Sequence, residues 1–158
     1  MQKPMIEKVS VTGAGYAGLA YACCLASKGI TVSLYEKDLE KRKLLSGGKV
    51  PFYEPSLTDL FTKVLGNGSL RLSASTKEAV DDSDATFVSV GTPSHPSGGI
   101  DLSYVKESTA DIGRALAGKA AYHIVVIRST VVPGTTTNVV RPILERASRK
   151  RAGNEVGL

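Results

Sequence analysis

The stretch that decides the fold is Val9-Ser10-Val11-Thr12-Gly13-Ala14-Gly15-Tyr16-Ala17-Gly18, near the amino end of the 158-residue chain. Its first four residues are β-branched or small, which predicts a strand. Apolar side chains then recur at helical spacing, which predicts a helix; they belong to Leu19, Ala22, Cys23, Leu25 and Ala26. Three glycines at the spacing G-x-G-x-x-G therefore join a strand to a helix, as this motif requires.

Each of the three glycines has a physical purpose at such a junction. Gly13 permits a tight turn, Gly15 leaves room for a pyrophosphate beside the backbone, and Gly18 lets the helix pack closely on the strand. The free N–H groups at the start of the helix add a partial positive charge that attracts phosphate. The junction therefore predicts a dinucleotide site. The alternative is a strand–helix turn that binds nothing.

The alternation of strands and helices continues along the chain, which predicts an α/β fold. We expect a doubly wound, mostly parallel sheet with Rossmann-type topology, formed by residues 1–158 as a single domain. Further strands are predicted at 31–35, 70–73, 85–90 and 122–127, and further helices at 39–45, 56–65, 75–81, 101–116 and about 135–147.

Several predicted helices begin with a capping pattern. Ser56 and Ser75 each precede an acidic residue three positions later, as in a capping box. Asp101 is expected to cap the helix that follows it. Pro142 conflicts with the last predicted helix, because a proline inside a helix kinks or shortens it.

A carboxylate follows the second predicted strand. Glu36 lies 21 residues after Gly15, close to the position where an acidic residue accepts hydrogen bonds from an adenosine ribose. A carboxylate there repels a 2′-phosphate, so NAD is favoured over NADP. Lys37, Lys41 and Arg42 weaken this preference, since a nearby cation accommodates that phosphate. The alternative for Glu36 is a solvated charge at a strand end.

Two later strands end in turns that contain hydroxyl side chains, Gly91-Thr92-Pro93 and Ser129-Thr130. Ligands of open parallel sheets bind beyond the carboxyl ends of the strands, where the strand order reverses. We therefore expect both turns to face the same crevice as the glycine motif and Glu36. Their hydroxyls are candidates for binding ribose, phosphate or a reactive water, and ordinary turn chemistry is the alternative.

The composition is that of an ordinary globular domain, with 42% apolar and 22% charged residues and a net charge of +5. It excludes collagen, an acidic disordered tail and a disulfide-stapled miniprotein. The richest apolar run, residues 17–26, is shorter than the roughly 18 residues of a membrane span. The amino terminus lacks the apolar core of a secretory signal. We expect no membrane association.

The remaining chemistry-bearing residues suggest packing roles. Cys23 and Cys24 are neighbours on one helix, so they do not readily bridge each other, and no metal-ligand spacing occurs. We therefore expect a reducing, cytoplasmic location. His95 and His123 have no recognisable catalytic partner and are assigned to a loop and to packing. A basic cluster near the carboxyl end is assigned to a solvated helix end rather than to nucleic acid; it comprises Arg146, Arg149, Lys150 and Arg151.

Together these motifs resemble the UDP-glucose/GDP-mannose dehydrogenase family, in its amino-terminal NAD-binding domain. The resemblance covers nearly the whole chain, with the pieces in the family's order. The matching pieces are Gly13–Leu19, Glu36 with Lys41, Gly48–Pro55, Val90–Pro93, Asp101–Val105 and Ser129–Thr136. The version Tyr53-Glu54-Pro55 is more similar to the UDP-glucose branch than to the N-acetylmannosamine branch.

The resemblance implies a two-step oxidation of the C6 alcohol of UDP-glucose, or a related UDP-sugar, to the uronate. Two NAD accept the hydrides, and a cysteine thioester is hydrolysed by water. Thr130 is implied to be catalytic, by positioning the water or the sugar, and the full-length protein is implied to be a homodimer. The residues implied to hold NAD are Gly13, Ala14, Gly15, Tyr16, Ala17, Gly18, Glu36, Lys41, Val90, Gly91, Thr92, Pro93, Ser129 and Thr130.

The sequence also departs from the family pattern. Ala17 replaces the usual Val, Glu36 the usual Asp, and Ser56 the Gly that often follows Pro. The family's linking helix, its carboxyl-terminal substrate domain and its Gly-Gly-x-Cys nucleophile are not found, and Cys23 and Cys24 do not inherit that role. We therefore expect a truncated member that binds the cofactor without turning over substrate. The alternatives are a stand-alone dinucleotide-binding module, a UDP-N-acetylmannosamine dehydrogenase fragment and an S-adenosylmethionine methyltransferase.

Overall fold

The computed structural model describes residues 6–95 and 98–158. Within these ranges six parallel strands form one sheet in the order β3-β2-β1-β4-β5-β6. This order, with its reversal between β1 and β4, defines the Rossmann topology and confirms the predicted fold class. The strands are β1 (Lys8–Thr12), β2 (Thr31–Tyr35), β3 (Leu70–Leu72), β4 (Ala85–Val88), β5 (His123–Ile127) and β6 (Val156–Gly157).

The helices lie close to their predicted positions. They are α1 (Tyr16–Ser27), α2 (Leu39–Ser46), α3 (Leu57–Gly66), α4 (Thr76–Asp81), α5 (Ser103–Leu116) and α6 (Arg141–Ser148). Helices α1 and α3 pack against each other, and α5 packs against α4 and α6. The apolar side chains form two buried clusters. One centres on Leu19, Val11 and Phe61, and the other on Ile112, Leu116 and Leu144.

The conflict at Pro142 is resolved by a change of helix type. A π-helical turn, Thr136–Val140, precedes α6 and places Pro142 in the first turn of that helix. A proline there needs no intrahelical donor, whereas deep inside a continuous α-helix its ring would meet the carbonyl of the residue four positions earlier. The expected continuous helix is therefore two segments of different geometry.

The capping predictions have different outcomes. Ser75 Oγ accepts the Glu78 N–H at 3.1 Å, which confirms that cap. Asp101 Oδ1 accepts the Ser103 N–H at 2.8 Å, although Leu102, and not Asp101, occupies the N-cap position of α5. The prediction for Ser56 is wrong: its φ is +63° and its side chain makes no capping hydrogen bond. In that left-handed conformation the residue forms a turn instead of presenting its hydroxyl to the helix.

A buried row of polar side chains joins the central strands. Ser10 Oγ lies 2.6 Å from Thr86 Oγ1, which lies 2.8 Å from His123 Nε2. His123 Nδ1 lies 3.1 Å from the Ser83 carbonyl oxygen. A neutral imidazole fits both contacts, by donating from Nδ1 and accepting at Nε2. Burial lowers the pKa of His123 to about 4, assisted by the charge of Lys119. The predicted packing role of His123 agrees with this placement.

Candidate functional site

The glycine junction lies where the strand order reverses. Gly13 has φ +97°, and its N–H donates to the Tyr35 carbonyl oxygen at 2.8 Å. A Cβ on Gly13 would lie only 2.6 Å from the carbonyl oxygen of Ser89, the residue after β4. The loop is thus pressed against the end of β4, and any other residue here would be strained in its backbone and would clash.

Gly18 and Gly15 have opposite surroundings. A Cβ on Gly18 would lie 2.0 Å from the Gly13 carbonyl oxygen, so α1 packs directly on the loop. A Cβ on Gly15 would meet nothing within 4 Å. Gly15 precedes the first turn of α1, whose N–H groups have no intrahelical partners. The space beside Gly15 is therefore open and faces a helix N-terminus, as a pyrophosphate requires.

Glu36 is fixed at the edge of this loop by two backbone groups. Its Oε2 accepts the Ala14 N–H at 2.7 Å, and its Oε1 accepts the Asp38 N–H at 2.9 Å. The carboxylate is therefore held against the glycine loop at the end of β2. An ionised carboxylate is an acceptor with about four lone-pair sites, so both oxygens keep capacity for ribose hydroxyls. The alternative of a merely solvated charge does not describe this residue.

Two of the cations near Glu36, Lys37 and Arg42, have side-chain partners of their own. Lys37 Nζ lies 2.5 Å from Glu107 Oε1 on α5. Arg42 donates from Nη1 to the Ala74 carbonyl oxygen at 2.9 Å. Lys41 lies in the first turn of α2, where its backbone N–H donates to Asp38 Oδ1 at 3.1 Å. A cavity of about 550 Å³, lined by Glu36 and Arg42 among others, adjoins this region.

The turns after β4 and β5 are fastened to each other. Ser129 donates from Oγ to the Val90 carbonyl oxygen at 2.7 Å and from its N–H to the Val88 carbonyl oxygen at 3.0 Å. These contacts end β4 at Val88, two residues earlier than predicted. Ser129 therefore lies against Val90, so the two turns meet at this pair of residues. The Ser129 hydroxyl proton is used within the protein, whereas Thr130 is exposed.

Sequence reasoning missed two features of this edge of the sheet. Ser89 Oγ is buried and has no hydrogen-bond partner among residues 6–95 and 98–158. The Ser89 carbonyl is also the group that confines Gly13. Tyr16 stacks on Phe52 with ring centroids 4.0 Å apart, although it is 62% exposed. The sequence offered no pattern for either contact, because both join residues far apart in the chain.

The cysteines and His95, for which no catalytic role was predicted, lie in ordinary packing and turn surroundings. Cys23 is buried on α1, and burial raises the pKa of its thiol to about 12, with a further contribution from Cys24. His95 lies in the turn between Ser94 and Ile100, where its N–H donates to the Gly99 carbonyl oxygen. In the described part of the chain, no three His, Cys, Asp or Glu side chains are grouped as metal ligands.

Across the described ranges, no helix combines the length and the apolar character that a membrane crossing demands.

The strand order, the open space at Gly15 and the anchored Glu36 define a dinucleotide-binding Rossmann domain. The open space beside Gly15, at the start of α1, fits such a ligand. Residues 7–158 match the UDP-glucose/GDP-mannose dehydrogenase family, NAD binding domain. The chain belongs to this family, and its cofactor is NAD. The methyltransferase hypothesis is therefore wrong.

Several relatives of known activity are similar to the chain. A GDP-mannose 6-dehydrogenase of Pseudomonas savastanoi pv. phaseolicola is 40% identical over 151 residues, covering 96% of this chain and 34% of the relative. A UDP-glucose 6-dehydrogenase of Haloferax volcanii is 39% identical over 148 residues, covering 93% and 34% respectively. The chain thus spans about a third of the length of the curated relatives it matches.

Solved structures of two dehydrogenases are also similar to this chain in fold and sequence. The crystal structure of a ternary complex of GDP-mannose dehydrogenase from Pseudomonas aeruginosa has a TM-score of 0.91 at 41% identity, covering 94% of this chain and 34% of that one. A UDP-glucose dehydrogenase from Pyrobaculum islandicum has a TM-score of 0.89 at 35% identity, covering 93% and 34%. The domain is therefore similar in sequence and fold to the NAD-binding part of these dehydrogenases.

Proposed function

We propose that this chain is the NAD-binding part of an enzyme that oxidises the C6 alcohol of a nucleoside-diphosphate hexose to the uronate, with two NAD per sugar. The observation that carries the proposal is the open space at Gly15, between the start of α1 and the anchored carboxylate of Glu36. The names of the relatives support the reaction class. NAD supplies the hydride acceptor.

The residues of this chain have distinct tasks in the proposed enzyme. Glu36 binds the adenosine ribose, and the first-turn N–H groups of α1 bind the pyrophosphate. Ser129 fastens the turns that face the cofactor, and Thr130 positions the water or the sugar from the end of β5. The full set proposed to line the NAD site is Gly13, Ala14, Gly15, Tyr16, Ala17, Gly18, Glu36, Lys41, Val90, Gly91, Thr92, Pro93, Ser129 and Thr130.

Two substrates are favoured, UDP-glucose and GDP-mannose. The version Tyr53-Glu54-Pro55 favours UDP-glucose, whereas 40% identity to a GDP-mannose 6-dehydrogenase favours GDP-mannose. UDP-N-acetylmannosamine has less support, because two structures of its dehydrogenases are 29% and 25% identical to this chain. We propose a cytoplasmic location for the whole enzyme, in keeping with the free thiols on α1. A homodimer is proposed from the family resemblance alone.

The cofactor site is tested on the 158-residue chain by calorimetric titration with NAD and NADP. NAD is expected to bind more tightly. Glu36→Gln is expected to weaken NAD and to lower the preference over NADP, because a neutral amide repels a 2′-phosphate less and can also donate to it. If this variant leaves both affinities unchanged, Glu36 does not bind the ribose.

The reaction is tested on the complete reading frame that contains this sequence. Purified enzyme is given UDP-glucose, GDP-mannose or UDP-N-acetylmannosamine, and NADH is followed by absorbance. Two NADH per uronate formed is the expected result with one of the first two sugars. The isolated chain is expected to bind NAD but form no NADH. A reading frame without a Gly-Gly-x-Cys segment after Leu158 would instead favour the stand-alone binding module.

A further inference from the structure

An ion pair crosses the end of the sheet beside the proposed ribose site. Lys37 directly follows Glu36 in the turn between β2 and α2. Its Nζ donates to Glu107 Oε1 at 2.5 Å, although the two residues are 70 positions apart. Hydrogen bonding to Glu107 raises the pKa of Lys37, and the nearby Asp111 acts in the same direction. The charged ammonium of Lys37 is therefore held by a carboxylate on α5.

The topology places this pair at the cofactor edge. Strand β1 lies between β2 and β4, and α5 follows β4 in the chain. Because α5 begins after the carboxyl end of β4, Glu107 in its second turn lies near that end. The Lys37–Glu107 pair thus connects the end of β2 to the helix after β4, across the reversal of strand order. The adenosine half of a dinucleotide lies at the same edge.

A 2′-phosphate at this edge would need a cation. Arg42 is turned to the Ala74 carbonyl oxygen, and Lys43 lies 2.7 Å from Glu40 Oε1. Lys37 adjoins Glu36 in sequence, and its partner comes from the far side of β1. The flexible four-carbon stem of a lysine lets its ammonium turn to a phosphate when no carboxylate holds it.

We propose that Glu107 is a positioning residue that favours NAD over NADP by holding Lys37 away from the ribose 2′ position. The proposal rests on the placement of the ribose at Glu36 made above. Glu36 repels the 2′-phosphate directly, and Glu107 withholds one cation, Lys37, that would offset this repulsion. Discrimination between the two cofactors therefore depends on a residue 71 positions after the acidic residue of the motif.

The test is a calorimetric titration of the chain with NAD and NADP. Glu107→Gln is expected to tighten NADP about two- to fivefold, which is the range that an exposed ion pair is worth; the side chains of Lys37 and Glu107 are 66% and 47% exposed. NAD affinity is expected to stay constant. The gain should shrink as salt is added, because exposed charges are screened.

Two further variants separate this explanation from a general change of charge. Lys37→Met combined with Glu107→Gln is expected to return NADP affinity to that of the wild type. Asp82→Asn removes one carboxylate from a similarly exposed ion pair with Lys8, at the opposite edge of the sheet. This matched control is expected to leave the NADP-to-NAD affinity ratio unchanged.

The outcomes distinguish the inference from the proposed site. If Glu36→Gln weakens NAD but Glu107→Gln leaves the ratio unchanged, the positioning role of Glu107 is refuted and the ribose site stands. An equal gain in the double variant, or in Asp82→Asn, also refutes it, since the gain would then need no free Lys37. If Glu36→Gln leaves NAD binding unchanged, the ribose site itself is refuted.

Discussion

The variant Gly15→Val is expected to weaken the binding of NAD while leaving the stability of the fold nearly unchanged. The backbone of Gly15 has φ −72° and ψ −177°, which a β-branched residue adopts without strain, and its Cβ meets nothing within 4 Å. Valine is a poorer helix N-cap than glycine, but losing glycine also lowers the entropy of the unfolded chain by an amount worth about 0.4–1 kcal/mol. We therefore expect the free energy of unfolding to change by less than about 1 kcal/mol.

The effect on the cofactor is expected to be larger. The branched side chain would occupy the open space that we assign to the pyrophosphate. Overfilling a packed site costs about 1–3 kcal/mol, which weakens NAD about 5- to 150-fold. The assay is calorimetric titration with NAD, accompanied by thermal unfolding without ligand. A shift of less than about 4 °C in Tm is expected for a domain of this size.

Gly18→Ala is the matched control, because it adds a single Cβ atom and is therefore a smaller chemical change than Gly15→Val. That atom would lie 2.0 Å from the Gly13 carbonyl oxygen, so α1 must move. The expected loss is about 3 kcal/mol, or about 6–12 °C in Tm. Unchanged NAD affinity in a folded Gly15→Val would refute the assignment of the pyrophosphate. Equal stability losses in the two variants would refute the contrast between their surroundings.

Three other predictions concern stability and thiol chemistry. His123 binds a proton in the unfolded chain below pH 6.5 but in the folded chain only near pH 4. The free energy of unfolding should therefore fall by about 1.4 kcal/mol per pH unit as the pH drops through this window. In His123→Gln, urea unfolding should show a weaker dependence of this free energy on pH. A thiol reagent should modify the exposed Cys24 rapidly and the buried Cys23 only on unfolding, and two equally fast thiols would contradict this. Gly113→Ala places a Cβ 2.6 Å from that of Ala147 where α5 crosses α6, so Tm should fall while NAD affinity stays the same. An unchanged Tm would show that the two helices can move apart without loss of stability.

The elements that follow local rules were predictable from the sequence. The strands follow from β-branched runs, and Gly29 ends α1 with φ +90°, as the sequence Lys28-Gly29 indicates. The glycine junction was predictable because its spacing and its strand–helix context coincide. Ser56 was mispredicted, because a capping pattern does not reveal a residue in the left-handed conformation. The π-helical turn before Pro142 was not predicted, because a proline indicates that a regular α-helix must kink or end but not which geometry replaces it.

The parts of the site that were missed depend on tertiary contacts. Ser89 confines Gly13 only because β4 pairs with β1, and its sequence neighbours give no hint of that role. Glu107 reaches Lys37 from a helix in the other half of the sheet. Glu36 was placed correctly, yet its two hydrogen bonds to the backbone emerge only when the loop is folded around it. Spacing locates a binding motif, and packing determines which neighbours act on it.

The reversal of strand order has a consequence for how the polypeptide matures. Val9 pairs with Val32, which is synthesised soon afterwards, and with Ala85, which is synthesised much later. Pairing between distant segments slows folding because their loop must first close. The contact of Gly13 with Ser89 belongs to the later pairing, so a nascent chain has no phosphate cradle until β4 docks. NAD that binds this late-forming site stabilises the folded chain by mass action, so we expect cofactor supply to influence how much of the newly made protein persists.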